Sequence, residues 1–360
     1  MKKSKDQQVE SGRLREVLGI LGKHEIIKGL TPERLRAIIE DLGPTFIKLG
    51  QIMSMRSDML PKEYCDELEK LRTDVPPMAY KEVSEVIEES LGQSVSDLFS
   101  KFEKEPLGAA SIAQAHKAKL HSGEWVVVKV QRKGIKTTMA RDINLLKRAA
   151  RILKLARGTG EVLDFDTILE ELWCTTQEEL DFLMEATHLE NFYANNQDVT
   201  YSSCPKVYRQ MTTSRVLVME HITGIPINDK EALLENGYDL MEICRKLSEN
   251  YAKQVMDDGL FHADPHPGNI IIREGEIVWI DLGMMGKLSK RGSKQLLKAT
   301  ESIAKGDTGA LKEVILNIGI RKEVINHSKL YTDIDDMLSR YGDMSFCGLD
   351  VAVFIYLIKI

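Results

Sequence analysis

The sequence predicts an α+β fold of two lobes behind an N-terminal helical extension. Apolar residues recur at helical spacing through residues 12–75, strand patterns begin at about residue 102, and a long amphipathic helix is predicted at about 239–258. After the extension, strand-rich segments therefore precede helix-rich segments. The predicted boundaries are 1–100 for the extension, 101–224 for the first lobe and 225–360 for the second lobe.

The individual elements follow from local signals. Thr31 followed by Pro32 predicts a helix start, because Thr caps the first backbone N–H groups and Pro fits the first turn. Strands of the first lobe are predicted at Ile112 to Leu120, Glu124 to Val130, Cys204 to Gln210 and Arg215 to Met219. Its helices are predicted at 137–157 and, as one continuous element, at about 166–196.

The composition is that of an ordinary folded chain, with 360 residues, 43% hydrophobic and 29% charged. The net charge of −6 gives no general electrostatic reason to bind nucleic acid, so we expect no nucleic-acid partner. The cysteines are scattered without a C-x-x-C pair, which predicts reduced buried thiols in a cytosolic protein. They are Cys65, Cys174, Cys204, Cys244 and Cys347.

Hydropathy bears on the location of the protein. No stretch reaches the roughly 18 uninterrupted apolar residues of a membrane span, and the N-terminus lacks the form of a secretory signal. We expect a cytoplasmic protein, with a peripheral location at the inner membrane face as the alternative. An apolar row from Leu14 to Leu21, with Arg13 and Arg15 beside it, fits either a membrane surface or a helix packed on the body. The run Val351 to Ile360 is expected to be a buried helix or strand.

The strongest chemical signal is the segment His262 to Asn269, followed by Asp281-Leu282-Gly283. An Asp with an Asn five positions later, and then a second Asp followed by x-Gly, is the spacing of a kinase active site. In that reading Asp264 orients or deprotonates the attacking group. Asn269 and Asp281 bind Mg²⁺, which prefers hard oxygen ligands.

A predicted hairpin supports this interpretation. Ile270 to Ile272 and Ile277 to Ile280 are predicted strands, and the turn between them would return Asp281 to Asn269. The alternative is an ordinary loop, because Asp, Pro, Gly and Asn all favour turns.

Lys129 lies in the apolar segment Val126 to Val130, where burying an unpaired ammonium group is costly. Kinases place a Lys in such a strand, where it binds the phosphates and pairs with a helical Glu. The alternative is a side chain that leaves an edge strand for solvent. Glu185 is the best candidate partner. It is predicted to share a helix face with Asp181, four residues earlier, while Glu179 lies nearly opposite Asp181. An acidic helix is otherwise simply a solvated face.

Upstream of Lys129, the segment Leu107 to Ala113 takes the place of a Gly-rich loop. Mapped on G-x-G-x-x-G, the three positions are Gly108, Ala110 and Ala113. Ala tolerates positive φ poorly, so this loop is predicted to be stiffer than a Gly-rich one. The alternative is an ordinary turn of small residues.

Together these residues resemble the AarF/UbiB family of atypical, protein-kinase-like enzymes, from about residue 35 to the end. The motifs that carry the resemblance occur in the family order. They are Lys48-Leu49-Gly50-Gln51 for K-x-G-Q, Ala109 to Gln114 for the Ala-rich loop, Glu179-Leu180-Asp181 for E-x-D, His262 to Asn269, and Asp281-Leu282-Gly283. The resemblance implies a two-lobed protein-kinase-like fold whose helical extension packs over the active site. It also implies that the second lobe is incomplete at its C-terminus, since the family commonly continues further.

The resemblance implies roles for individual residues. Asp264, Lys129 and Glu185 would be catalytic, Asn269 and Asp281 would bind metal, and Lys48, Gln51, Glu179 and Asp181 would cover the cleft. The nucleotide-binding candidates are Gly108, Ala109, Ala110, Ser111, Ala113, Lys129 and Glu220, the last directly after a predicted strand.

The implied cofactors are ATP or ADP with Mg²⁺. The expected substrate is a small molecule, a lipid or a quinone precursor. No A-P-E motif or typical peptide-binding segment follows Asp281-Leu282-Gly283, which disfavours protein substrates. A protein serine/threonine kinase and a nucleotide-sensing scaffold with little turnover remain as alternatives.

Overall fold

The computed structural model describes residues 2–24, 29–56, 59–71, 76–157, 165–319 and 325–341. The chain divides into two compact units. The first unit comprises residues 1–187 and 206–221, and the second comprises 188–205 and 222–360. The predicted helical extension thus belongs to the same unit as most of the predicted first lobe. The three-way division at residues 100 and 224 stays a prediction.

The helices are spread along the whole described chain. They are α1 (Lys2–Lys23), α2 (Pro32–Leu42), α3 (Pro44–Ser54), α4 (Lys62–Leu68), α5 (Tyr80–Leu91), α6 (Val95–Leu98), α7 (Ile135–Arg157), α8 (Phe165–Glu179), α9 (Phe182–Asn195), α10 (Lys230–Glu235), α11 (Leu240–Lys253), α12 (Lys290–Ala304), α13 (Thr308–Ile318) and α14 (His327–Tyr341).

The strands form small, mainly antiparallel sheets. They are β1 (Phe99–Phe102), β2 (Gly108–Ala109), β3 (Ala113–Leu120), β4 (Trp125–Gln131), β5 (Ser202–Ser203), β6 (Val216–Glu220), β7 (Ile225–Pro226), β8 (Leu260–His262), β9 (Ile270–Arg273), β10 (Glu276–Trp279) and β11 (Met285–Lys287). The first unit contains the order β1-β3-β4-β6 with β2 added to β3. The second unit contains β5-β10-β9-β7 and the pair β11-β8.

The core of the first unit lies between α5 and the β3-β4-β6 sheet. Val83, Val86 and Ile87 of α5 pack against Val126 and Val128 of β4 in one buried cluster. Side chains alternate between the two faces of a strand, so Lys129 lies on the face opposite that cluster. The buried face of β4 therefore fixes the direction in which Lys129 points.

Helix α1 packs on the body of the first unit. Its residues Val17, Ile20 and Leu21 contact the buried cluster formed by α2, α3 and the segment around α4. Arg13 donates through Nε and Nη2 to the two carboxylate oxygens of the buried Asp142 in α7, at 2.8 and 3.0 Å. These contacts favour a helix packed on the body over a helix that lies on a membrane surface. Leu14 and Leu18 nevertheless remain exposed, and membrane contact stays a prediction.

The predicted start of α2 is present. Thr31 is the N-cap, and its hydroxyl accepts a hydrogen bond from the Arg34 N–H at 3.3 Å. The helix ends at Gly43, which has a φ of 94°, and Pro44 then begins α3. Positive φ is easily adopted only by glycine, so this residue sets the turn between the two helices.

Two predicted elements of the first lobe are wrong. The continuous helix at 166–196 is instead two helices, because α8 ends at Glu179 and α9 begins at Phe182. The predicted strand Cys204 to Gln210 makes only an isolated bridge from Val207 to Met219 before a 3₁₀ turn begins at Arg209. Pro205 lacks the N–H that a ladder needs, which accounts for the interruption.

The cysteine prediction also needs correction. Cys65 and Cys204 are buried as expected, but Cys174 and Cys244 are exposed. The fifth, Cys347, and the run Val351 to Ile360 lie outside the described residues. None of the described helices combines the length and the apolar composition that crossing a bilayer requires.

In the second unit, α11 leads into the predicted catalytic segment. The helix ends in a π-helical turn, Gln254–Asp258, and Gly259 in the left-handed region closes it. Strand β8 follows. Beyond the catalytic segment, β9 and β10 pair in register from Arg273–Glu276 to Ile270–Trp279. The predicted hairpin is therefore present, with Glu274 and Gly275 at positive φ as its two turn residues.

Candidate active site

The first unit pairs Lys129 with Glu185. Lys129 Nζ lies 2.5 Å from Glu185 Oε1, and the two side chains are 15% and 7% exposed. Strand β4 has β3 on one side and β6 on the other, so Lys129 does not leave an edge strand for solvent. Glu185 lies in the first turn of α9. The Glu185 carboxylate gives the buried ammonium group a partner of opposite charge and fixes its direction.

A second ion pair joins the K-x-G-Q and E-x-D motifs. Lys48 Nζ of α3 contacts the carboxylate of Glu179, and both side chains are largely buried. Gln51 follows one turn later on the same helix. Gly50 lies between them at a close approach, since an added Cβ would come within 2.4 Å of Leu71 Cδ1. Glu179, which helix geometry alone did not place, is thus brought to Lys48.

Asp181 has a different environment from the one predicted. It precedes α9, and its Oδ1 accepts a hydrogen bond from the Leu183 N–H at 3.1 Å. The prediction that Asp181 and Glu185 share the face of one continuous helix is therefore wrong. The break comes at Leu180, whose buried side chain packs with Ile135 and Met139. Asp181 caps the new helix instead.

The Ala-rich loop is a tight turn between β2 and β3. The Ala110 N–H donates to the Ala113 carbonyl at 2.8 Å, across Ser111 and Ile112. Among the described residues, positive φ does not occur between Gly108 and Ala113. Ala can therefore adopt every backbone conformation that this loop requires. The turn therefore does not require glycine at Ala109, Ala110 or Ala113.

Arg132, which the sequence did not single out, holds this loop. Its Nε donates to the Ala110 carbonyl at 2.9 Å and its Nη2 to the Pro76 carbonyl at 2.8 Å. Its own N–H donates to the Ile112 carbonyl at 2.8 Å. Burial lowers the pKa of Arg132, and the charge of Glu82 acts against that shift. The guanidinium group therefore holds the predicted phosphate loop through its backbone carbonyls.

Glu220, the remaining nucleotide-binding candidate, ends β6. Its backbone N–H donates to the Lys206 carbonyl at 2.8 Å, and its Oε2 accepts from the Lys206 N–H at 3.2 Å. The next residue, His221, donates its N–H to the Trp125 carbonyl at 3.0 Å. Burial lowers the pKa of His221, and the nearby Lys117 lowers it further. A nucleotide-binding role for Glu220 stays a prediction.

In the second unit, His262 connects the two predicted catalytic loops. Its Nε2 donates to the Asp281 carbonyl at 2.7 Å, and its Nδ1 accepts the Asp264 N–H at 3.1 Å. A carbonyl only accepts and a backbone N–H only donates, so these contacts define which ring nitrogen carries the proton. His188 adds a parallel contact, because its Nδ1–H donates to the Leu282 carbonyl at 3.0 Å.

The β9–β10 hairpin brings the backbone at Asn269 next to the backbone that leads into Asp281. The Ile280 N–H donates to the Asn269 carbonyl at 2.9 Å, directly before Asp281. Asp281 Oδ1 accepts the Gly283 N–H at 2.9 Å, which orients the carboxylate. The hairpin thus brings Asn269 and Asp281 together, as its sequence pattern predicted.

The donor set suits Mg²⁺. Asp264, Asn269 and Asp281 offer two carboxylates and an amide oxygen, the hard ligands that this ion binds while keeping several waters. Within the described ranges, three or more His, Cys, Asp or Glu side chains do not gather as a metal-binding group. The Asn269 amide is a ligand type outside that set.

Tyr251 supports the same loop from α11. Its hydroxyl donates to the His262 carbonyl at 3.0 Å. Burial, and then the charge of Asp264, raise the pKa of Tyr251 to about 12. The phenol therefore stays protonated at neutral pH and remains a hydrogen-bond donor.

With this geometry defined, comparison with known proteins identifies the family. Residues 70–315 match the ABC1 atypical kinase-like domain. The chain belongs to this family. The match agrees with the resemblance to AarF/UbiB enzymes and with a kinase-like α+β fold.

Curated relatives match most of this chain. A "Probable protein kinase UbiB" from Azotobacter vinelandii is 36% identical over 79% of the chain and 54% of its own length. "Protein ACTIVITY OF BC1 COMPLEX KINASE 8, chloroplastic" from Arabidopsis thaliana is 37% identical over 86% of the chain and 40% of its own length. A solved structure of Rv3197 with erythromycin from Mycobacterium tuberculosis is 25% identical, with a TM-score of 0.56, over 82% of this chain and 74% of that one. The chain thus spans about half the length of the two curated relatives.

The charged groups of the site are predictable from the sequence, whereas the residues that hold its loops are not. Arg132, His188 and Tyr251 act on backbone carbonyls, and a carbonyl has no sequence signature. The available signal was position, since Arg132 lies three residues after Lys129 and His188 lies three after Glu185. That signal becomes meaningful only once the backbone is known.

Proposed function

We propose that this chain is an Mg²⁺-ATP-dependent ATPase or small-molecule kinase of the UbiB type, acting in isoprenoid-quinone or lipid metabolism. The observation that carries the proposal is the order and local geometry of the kinase-like groups. One unit supplies a buried Lys–Glu pair beside a tight Ala-rich loop. The other supplies Asp264, Asn269 and Asp281 on loops joined by His262. Membership of the ABC1 family supports the assignment.

Each group has a role that its chemistry fits. Lys129 binds the phosphates, and Glu185 keeps its ammonium group charged and oriented. Backbone N–H groups of the loop from Gly108 to Ala113 that the turn itself does not use would be available to the phosphates. Asp264 orients the attacking water or hydroxyl group and accepts its proton. Phosphoryl transfer depends mainly on such positioning and on charge neutralisation.

Asn269 and Asp281 would hold Mg²⁺, which when bound neutralises phosphate charge. The side chain of Asp281 is already oriented by the Gly283 N–H. The Lys48–Glu179 pair and Gln51 would limit the substrates that reach the reacting groups. A cytoplasmic location, with peripheral membrane contact as the alternative, stays a prediction.

The decisive experiment is turnover of labelled ATP by the wild type and by Asp281→Asn, with quinone-precursor and lipid analogues present. In this variant the side-chain oxygen still accepts the Gly283 N–H, so we expect folding to survive. Turnover should fall by about 100-fold or more, because a neutral amide replaces a carboxylate that would hold the Mg²⁺ needed to neutralise the phosphates. Asp307→Asn is the matched control. It makes the same change at the cap of α13, where Asp307 Oδ1 accepts the Ala310 N–H.

The outcomes separate the candidate functions. The absence of both hydrolysis and transfer by the wild type, with these analogues present, would contradict the proposal. Thermal stabilisation by nucleotide without product would indicate a sensing scaffold. Phosphate appearing on a protein in trans, and lost in Asp264→Ala, would favour a protein kinase, as the relative from Azotobacter vinelandii is named.

A further inference from the structure

The second unit contains a buried network of amide side chains that the proposed mechanism does not use. Asn196, Asn250 and Gln254 are all buried, the last two completely. Buried amides are retained where every donor and acceptor is satisfied. Trp279, also completely buried, joins the same network.

The orientation of each amide follows from one fixed donor. The Trp279 indole N–H can only donate, and it lies 3.1 Å from Asn250 Oδ1. The same oxygen accepts from Gln254 Nε2 at 2.9 Å. The Asn250 amide nitrogen is therefore directed to Asn196 Oδ1 at 2.7 Å. Gln254 Oε1 remains to accept the His262 N–H at 3.1 Å.

The network thereby reaches the catalytic loop through the backbone of His262. Gln254 holds its N–H, and the Tyr251 hydroxyl holds its carbonyl. The His262 ring then binds the Asp264 N–H on one side and the Asp281 carbonyl on the other. The orientation of one ring thus sets the backbone of both predicted carboxylate loops.

The location of Gln254 agrees with such a role. It begins the π-helical turn that ends α11, and such turns occur often at functional sites. Trp279 lies two residues before Asp281 on β10, and its ring packs 5.3 Å from that of His262, measured between centroids. The network therefore also contacts the strand that delivers Asp281.

We propose that Asn250 and Gln254 are positioning residues, whose amides fix His262 and through it the Asp264 and Asp281 loops. The proposal rests on the proposed function for its catalytic consequence. Its structural consequence, a catalytic loop held by Gln254, can be measured without nucleotide.

The test compares Gln254→Met with Thr308→Val. Met has nearly the size of Gln but cannot accept the His262 N–H or donate to Asn250. Thr308→Val is the matched control, since the Thr308 side chain is buried and the change deletes its part-buried hydrogen bond of 2.7 Å to Asp335 in α14. Tyr251→Phe is the milder second variant, because it removes only the hydroxyl that holds the His262 carbonyl. Amide hydrogen exchange is followed for residues 260–264 in the protein without nucleotide, and ATP turnover is measured separately.

We expect faster exchange at residues 260–264 in Gln254→Met, a smaller increase in Tyr251→Phe, and none in Thr308→Val. The kcat of Gln254→Met should fall by about 10- to 100-fold with KM for ATP little changed, as for outer residues that orient a metal ligand. Unchanged exchange at residues 260–264 in both Gln254→Met and Tyr251→Phe would overturn the proposal. If Gln254→Met does not fold, Tyr251→Phe alone decides in the same way. Because exchange needs no turnover, an inactive wild type would refute the proposed function and leave this test intact.

Discussion

The two units hold their reactive groups by opposite means. In the first unit, a charge is held by a charge, as Lys129 is held by Glu185 and Lys48 by Glu179. In the second unit, the predicted metal-binding loops are held by neutral groups. His262 fixes the backbone of the Asp264 and Asp281 loops, and buried amides fix His262.

The difference follows from the charge of the expected ligand. A lysine that binds phosphate must stay charged while buried, and a neighbouring carboxylate ensures this. Carboxylates that bind Mg²⁺ must keep their affinity for a cation, and orienting them from their backbone leaves that affinity intact. We therefore expect substitutions in the first unit to act mainly through buried charge. Those in the second unit should act through geometry.

The largest effect is expected on breaking the Lys129–Glu185 pair. Lys129→Met leaves the Glu185 carboxylate without its buried counter-ion, which should lower the free energy of unfolding by about 3 kcal/mol or more. Glu185→Leu should have a similar cost. The double variant should be more stable than either single variant, because it leaves neither charge behind. Denaturant unfolding of all three variants measures this.

Turnover should separate stability from chemistry in the same variants. All three should lose about 100-fold or more in kcat, since each lacks the group that binds the phosphates or the one that orients it. If the two stability losses simply add in the double variant, the two charges are not coupled. That result would contradict the claim that Lys129 is held by the charge of Glu185.

The sequence predicts the structure correctly where a local pattern specifies the geometry. The alternation in β4 and the spacing from Asp264 to Asp281 require only contacts between near neighbours in the chain. The hairpin that returns Asp281 to Asn269 is predictable for the same reason, since strand length and a Glu274-Gly275 turn determine its register.

The sequence does not predict the structure correctly where a partner that is distant in the chain decides it. Nothing in Glu178-Glu179-Leu180-Asp181 breaks a helical pattern, so α8 and α9 were predicted as one helix. The packing of Leu180 with Met139 and the pairing of Glu179 with Lys48 accompany the break. Arg132 and Gln254 were missed because each acts on a backbone group, and only the fold brings that group within reach.

Arg132 differs from the paired lysines of the first unit, because its guanidinium group donates to backbone carbonyls. Its planar fork bridges Ala110 and Pro76, a geometry that a lysine cannot reproduce. We expect Arg132→Gln to weaken ATP binding by about 10-fold, through loss of loop order and of positive charge. Arg132→Lys should recover only part of that loss. Isothermal calorimetry with ATP measures both.

The adjacent Lys133 supplies the control. Its ammonium group pairs with Glu85 at 2.6 Å on the surface, so Lys133→Gln removes the same charge without touching the loop. Equal affinity losses in Arg132→Lys and Arg132→Gln would mean that the fork geometry matters. If Arg132→Lys binds like the wild type, only the charge matters and the positioning role is wrong.

A neutral relay behind the Ala-rich loop is the exception within the first unit. Gln114 Oε1 accepts the Met78 N–H at 2.6 Å, so its amide nitrogen donates to His116 Nε2 at 2.8 Å. His116 Nδ1–H in turn donates to the Glu103 carbonyl at 2.8 Å. A proton on His116 Nε2 would face the amide N–H of Gln114. This contact disfavours the charged ring, and burial lowers the pKa of His116. The hydrogen bond to the Glu103 carbonyl and the charge of Glu105 act to raise that pKa without reversing the shift.

The smallest predicted effect is therefore a pH dependence of stability. The pKa of His116 is lower in the folded chain than its ordinary value of 6.5, so the unfolded chain binds more protons just below pH 6.5. The contribution of His116 to the free energy of unfolding should be complete above that pH and decrease as the pH falls. One group can contribute a slope of at most about 1.4 kcal/mol per pH unit. His221, whose pKa is also lowered, acts in the same direction, so His116→Gln should reduce the slope without abolishing it.

Urea unfolding from pH 5 to 7 measures the slope, with His121→Gln in the exposed β3–β4 turn as control. Equal slopes in wild type and His116→Gln would mean that the relay does not depend on a neutral His116 ring.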